Sequence, residues 1–145
     1  MLRIYLDTNV CGRPFDEESQ ARIKEEAVAF FEILEGVHQR KYELIGSLIL
    51  DDEIEQIEET DKREAVKALV NLFVGDKIQK FSKSFHEEIK LLGLKDKDAM
   101  HMAFAIGNSD YFITCDDEIL NRKAQIENAY DIKVVSPVGF VKEVL

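Results

Sequence analysis

The chain has 145 residues, 46% of them hydrophobic, and a formal net charge of −10. That length suits one domain able to bury a core without staples, and the absence of any apolar run near the ~20 residues of a membrane span, with charge interrupting the start too early for a secretory signal, points to a cytoplasmic protein. The acidic balance speaks against gripping nucleic acid through a broad basic face, but not against an enzyme whose bound cations meet a phosphate.

Leu2 to Leu6 reads as a short buried strand ending at Asp7. Residues 11 to 16, with Gly12 and Pro14, read as a turn-like loop. A helix is expected from Glu18 to Leu34, where Ile23, Ala27, Phe30, Phe31 and Leu34 recur at helical spacing before Gly36. Tyr42 to Ile45 reads as a second strand. Ser47 then opens a helix with Leu50, Ile54 and Ile57 on one face, and a further helix runs from Lys62 to Val74. Ile78 to Phe81 is expected to be a short strand and Phe85 to Leu92 a helix ending at Gly93. Asp98 to Ile106 follows as a helix, Tyr111 to Ile113 as a strand, Asp116 to Ile126 as a helix and Ile132 to Val135 as the last strand. Pro137, suited to a first helical turn, starts the terminal helix.

Strands alternating with helices imply an α/β fold: a three-layer α/β/α sandwich around a central parallel sheet. No repeat, linker or composition shift marks a boundary, so residues 1–145 are expected to form a single domain. The acidic run Asp51 to Asp61 and the lysines from Lys77 to Lys97 read as solvated faces. Cys11 and Cys115 lack CxxC spacing, which speaks against a zinc site or a disulfide scaffold.

Sheets of this kind carry their sites just beyond the carboxyl ends of the strands. Asp7 follows the first strand, Ser47 the second, with Glu53 further along the helix it opens, and Asp116 follows Tyr111-Phe112-Ile113. Asp98 begins a helix instead. Carboxylates converging in a crevice repel one another, and each is costly to ionise unless a cation neutralises the group. Hard divalent ions take such oxygen ligands and keep waters. The same acids taken singly fit other duties: Asp98 and Asp116 as helix caps, Glu53 as one more solvated charge.

These residues resemble the motifs of the PIN-domain family, VapC-like metal-dependent ribonucleases among them. Leu6-Asp7-Thr8-Asn9-Val10 is similar to its first motif, and Ser47 followed six positions later by Glu53 to its second. Asp98-Ala99-Met100-His101-Met102-Ala103-Phe104-Ala105 resembles the third, and Phe112-Ile113-Thr114-Cys115-Asp116 the fourth. The resemblance covers nearly the whole chain. It implies Mg²⁺ or Mn²⁺ held by Asp7, Glu53, Asp98 and Asp116, hydrolytic cleavage of RNA, homodimers, and in many compact members an antitoxin partner; other members process ribosomal RNA. Thr8, Asn9, Ser47 and Thr114 are candidates for orienting the carboxylates from behind.

Asp51 or Asp52 in place of Glu53, Asp96 in place of Asp98, and Asp117 in place of Asp116 stay open at this level. The spacing of Leu50, Ile54 and Ile57 sets Glu53 beside the buried face of its helix and Asp52 further away. His101 reads as a packing or surface residue, Arg13 as a surface arginine, and Phe30, Phe31, Phe73 and Phe104 as core or dimer contacts. The competing functions are a DNA nuclease or phosphatase on the same acids, a PIN-like interaction module without turnover, and a receiver-like phosphoacceptor domain. The last expects an acidic pair near the first strand and a lysine after a late strand, which Thr114-Cys115-Asp116 does not supply.

Overall fold

Residues 1–17 and 19–144 are described in a computed structural model. Five strands form the sheet: β1 (Leu2–Leu6), β2 (Tyr42–Ser47), β3 (Val74–Ile78), β4 (Tyr111–Ile113) and β5 (Lys133–Val135). They lie in the order β3-β2-β1-β4-β5 and every pair is parallel. The helices are α1 (Thr8–Gly12), α2 (Ala21–His38), α3 (Leu48–Glu55), α4 (Thr60–Phe73), α5 (Lys83–Leu91), α6 (Asp96–Ala105), α7 (Asp117–Leu120), α8 (Lys123–Ala129) and α9 (Pro137–Val144).

Parallel neighbours need a crossover between them, and here the crossovers are helices that cover both faces. The strands alternate between two cores. Ile4, Leu6, Leu44, Ile113 and Val135 pack against Phe30 and Ile33 of α2, Val66 and Val70 of α4, and Phe140 of α9. Tyr5, Ile45, Phe112 and Val134 pack on the other side against Ile89 of α5, Met102 and Phe104 of α6, Ile119 of α7 and Ile126 of α8. The expected α/β/α sandwich with a parallel sheet is the observed architecture.

Several boundaries differ from expectation, each for a physical reason. Residues 8–12 form a helical turn capped by the Asp7 side chain, and Arg13–Phe15 close it as a 3-10 turn with Pro14 near its start. The long second helix begins at Ala21; Glu18, its expected first residue, lies outside the described residues. Phe31 on this helix is 51% exposed, because Phe30 and Ile33 take the inward face. The third strand lies at Val74–Ile78 instead of 78–81. A Cβ at Gly46 would meet the Val74 side chain at 3.1 Å, so the missing side chain gives Val74 its seat beside β2. The expected helix 116–126 is two helices, broken where Arg122 turns to donate from Nε to the Leu92 carbonyl at 2.8 Å.

From β1 the sheet grows outward through β2 and β3, then restarts on the other side with β4 and β5. The order therefore reverses between β1 and β4, and the crevice beyond their carboxyl ends is the place such sheets offer a ligand. The Asp7 amide donates to the Ile113 carbonyl at 2.9 Å, which locks the two strand ends together there.

Candidate active site

Asp7 leaves β1 at this crevice and is 3% exposed. Its Oδ1 accepts the Thr8 amide at 2.8 Å, and its Oδ2 accepts from Thr114 Oγ1 at 2.9 Å and Asn9 Nδ2 at 3.2 Å. Asn9 also accepts the Cys115 amide at 3.0 Å through its Oδ1, so one amide side chain holds the loops after β1 and β4 to each other. The expected supporting residues Thr8, Asn9 and Thr114 thus surround Asp7 directly.

Ser47 ends β2 and caps α3, its Oγ accepting the Leu50 amide at 3.1 Å. Ile49, Leu50 and Ile54 turn inward and carry Glu53 to the crevice. Glu53 Oε1 accepts from Thr8 Oγ1 at 2.7 Å and is hydrogen-bonded to Nε2 of His101. Its neighbours point elsewhere: Asp51 pairs with Lys77 at 2.6 Å, and Asp52 accepts from Gln56 at 3.0 Å.

Helix α6 presents Asp98 in its first turn and His101 one turn later. His101 is fully buried, with Nε2 at 3.7 Å from Asp7 Oδ1 and Nδ1 at 2.6 Å from the Tyr5 hydroxyl. Asp96 sits outside this arrangement, paired with His86 at 3.0 Å and Lys90 at 3.4 Å. Asp116 caps α7 by accepting the Glu118 amide at 2.9 Å, while its own amide donates to Thr114 Oγ1 at 3.0 Å. Asp117 is turned away into a two-pronged pair with Arg22, both contacts at 2.9 Å.

The charges compete. Burial pushes the Asp98 carboxyl up to about 6, with Asp7 and Asp116 adding to the rise, His101 opposing it and Glu53 adding again. Burial also raises Asp7, against the pull of His101 and Thr114. Glu53 goes the other way: burial would raise it, but the bonds from His101 and Thr8 outweigh burial and hold it below its ordinary value. His101 is raised, since its carboxylate neighbours overcome burial. One ligand atom each from Asp7, Glu53 and His101 lies within 4.8 Å of the others. A crevice where burial and neighbouring carboxylates raise Asp7 and Asp98, with His101 Nε2 held to Glu53, fits a divalent cation on its acids.

Asp7 and Glu53 thus meet around His101, and Asp98 and Asp116 stand near enough for charge to couple them. Two members are not among the expected site residues. His101 was expected as packing or surface, and the signal for it was its place one turn after Asp98. Tyr5 carried a weaker signal, a polar aromatic two residues before Asp7. Arg13 is tied to Glu26 and Asp16, each at 3.0 Å. Cys11 and Cys115 are free and buried; burial pushes the Cys11 thiol up to about 12 and raises Cys115 too, so neither is a poised nucleophile.

No protein-family model matches the sequence, and neither does any curated protein. Among solved structures, a chain of VapBC2 from Rickettsia felis, determined bound to a DNA fragment from their promoter, superimposes with a TM-score of 0.61. The match covers 93% of this chain and 98% of that one at 12% sequence identity. At that identity the likeness establishes one thing, that the two chains share a fold.

Proposed function

We propose that this chain is a PIN-domain-like endoribonuclease dependent on Mg²⁺ or Mn²⁺, with Asp7, Glu53, Asp98 and Asp116 as its cation-binding acids. The observation that carries the reading is the meeting of the Asp7 and Glu53 carboxylates around His101, one atom of each within 4.8 Å of the others, at the point where the sheet reverses its order. The fold shared with a VapBC2 chain supports it.

A cation bound by these acids, directly or through water, supplies a water of lowered pKa and a countercharge for the phosphodiester. The chain's own part is preorganisation. Three donors fix the Asp7 carboxylate and two fix Glu53, so neither has to search for its orientation. Burial, with Asp7 and Asp116 adding, lifts the Asp98 carboxyl to about 6, so the affinity of these acids for a cation should weaken as pH falls through that value. On the same reading the chain is a single cytoplasmic domain that forms a homodimer and pairs with a protein of antitoxin type.

The test is purified chain incubated with RNA, single-stranded DNA and a phosphomonoester, each with Mn²⁺, Mg²⁺ or EDTA. RNA alone should be cut, leaving 5′-phosphate and 3′-hydroxyl ends, and EDTA should stop the reaction. Asp7→Asn should lower the rate on the order of a thousandfold with an unchanged circular dichroism spectrum. Full activity in that variant, or turnover of the phosphomonoester without RNA cleavage, overturns the proposal.

A further inference from the structure

Tyr5 lies in the middle of the sheet and is fully buried, yet it ends in a hydroxyl. Its ring stacks on Phe112 at 5.4 Å between centroids and 10° between planes. A phenylalanine would make the same stack, so packing does not call for the oxygen. That oxygen lies 2.6 Å from Ser47 Oγ and 2.6 Å from His101 Nδ1. A buried hydroxyl is costly unless bonded and adds little net stability when it is. What a satisfied buried network supplies is one fixed arrangement of the groups it joins.

The groups joined here belong to three elements. Tyr5 stands two residues before Asp7 on β1. Ser47 caps α3, which bears Glu53. His101 lies one turn after Asp98 on α6 and bonds to Glu53 through Nε2. The ionised Glu53 only accepts, so Nε2 donates to it. The Tyr5 hydroxyl then serves either state of the ring. With neutral imidazole it donates to Nδ1 and accepts from Ser47; with imidazolium it accepts from Nδ1 and donates to Ser47.

We propose that Tyr5 and His101 are positioning residues: the chain Ser47–Tyr5–His101–Glu53 sets the spacing of Asp7, Glu53 and Asp98 and so the affinity of the crevice for its divalent cation. This rests on the cation-dependent reading above. It makes the aromatic hydroxyl of β1, two residues from the first acid, part of the metal centre's support.

The experiment measures Mn²⁺ binding by isothermal titration, and RNA cleavage, for the full chain, Tyr5→Phe, His101→Ala, His101→Gln and Asp7→Asn. Circular dichroism and thermal melting check the fold. Tyr5→Phe should stay folded, bind Mn²⁺ about 10- to 100-fold more weakly, and lose kcat at saturating Mn²⁺ with KM for RNA unchanged. His101→Ala should lose as much or more. His101→Gln, whose amide can still donate toward Glu53, should recover part of the loss, a rescue that a merely space-filling role does not produce. Wild-type Mn²⁺ affinity in folded Tyr5→Phe, or equal affinity in His101→Ala and His101→Gln, overturns the positioning role while leaving the nuclease reading intact if Asp7→Asn has lost binding. Absence of Mn²⁺ binding by the wild-type chain overturns both.

Discussion

The Thr114 hydroxyl donates to Asp7 Oδ2 at 2.9 Å and, through the same oxygen, accepts the Asp116 amide at 3.0 Å. One fully buried side chain therefore sets two acids that lie more than a hundred residues apart in sequence. Thr114→Val keeps the shape and removes both bonds, together with the one that Oγ1 accepts from Asn9 Nδ2 at 3.3 Å. It should cost about 1–3 kcal/mol of stability, because a buried carboxylate oxygen and an amide lose partners. Urea denaturation measures that loss. Mn²⁺ affinity should fall about tenfold, and Thr114→Ser should restore most of it. Unchanged Mn²⁺ affinity in the valine variant would mean that this bond does not orient Asp7.

Asp116 and Asp117 are adjacent and chemically alike, but their partners separate them. Asp116 shares Thr114 with Asp7 and raises the Asp98 carboxyl, whereas Asp117 is exposed and engaged by Arg22. Asp116→Asn should lower RNA cleavage about a hundredfold, and Asp117→Asn should leave the rate unchanged. The same contrast holds for Glu53 and Asp52, the latter exposed and bonded to Gln56. Single-turnover rates at saturating Mn²⁺ decide the matter. A large loss in Asp117→Asn with none in Asp116→Asn would move the acid by one position.

The strands that hold the crevice are legible in sequence because they are apolar runs closed by a polar residue: Leu2–Leu6 before Asp7, and Tyr111–Ile113 before Thr114. The third strand is not, because Val-Gly-Asp-Lys-Ile lies at a sheet edge, mostly exposed, and carries no alternation. Its place depends on Val74 filling the space over Gly46, a contact no local pattern encodes. The positions of the four acids are readable because each sits at the end of an element or on a helix whose buried face shows in sequence, and of these the structure brings Asp7 and Glu53 together. The contacts of His101 are not readable. Spacing from Asp98 puts the ring on a helix face, but only the packing of α6 against β1 and α3 shows that one nitrogen meets Tyr5 and the other Glu53. The break at Arg122 is of the same kind, made by a bond to Leu92 from 30 residues away.

Glu26 is 3% exposed and shares its carboxylate between Arg13 at 3.0 Å and Arg22 at 3.4 Å. Arg22 also donates to the Cys115 carbonyl at 2.8 Å, so this group braces the loop that leads to Asp116. Glu26→Ala leaves two guanidinium groups facing an empty, mostly dry position. The loss should be about 2–3 kcal/mol, below that of a fully buried broken pair because Arg22 is half in solvent. Chemical denaturation checks it. A loss near zero would show that solvent screens the whole group.

Asp98 should make the metal-free protein less stable as pH rises. Its carboxyl titrates near the ordinary 3.8 in the unfolded chain and at about 6 in the folded one. Between those values the folded state binds more protons, so unfolding free energy falls with increasing pH across that window and the deficit persists above it. Asp98→Asn removes the ionisation and with it the slope. In EDTA, the melting temperatures of variant and wild type should converge near about pH 4, and the variant should melt higher at about pH 7. Mn²⁺ should reverse the order at the higher pH, since an ion bound to the folded state stabilises it by mass action and the wild-type chain binds more tightly. Calorimetric scans across the pH series in EDTA carry the test: if the two proteins follow parallel curves, the rise that burial, with Asp7 and Asp116 adding, gives Asp98 is not there.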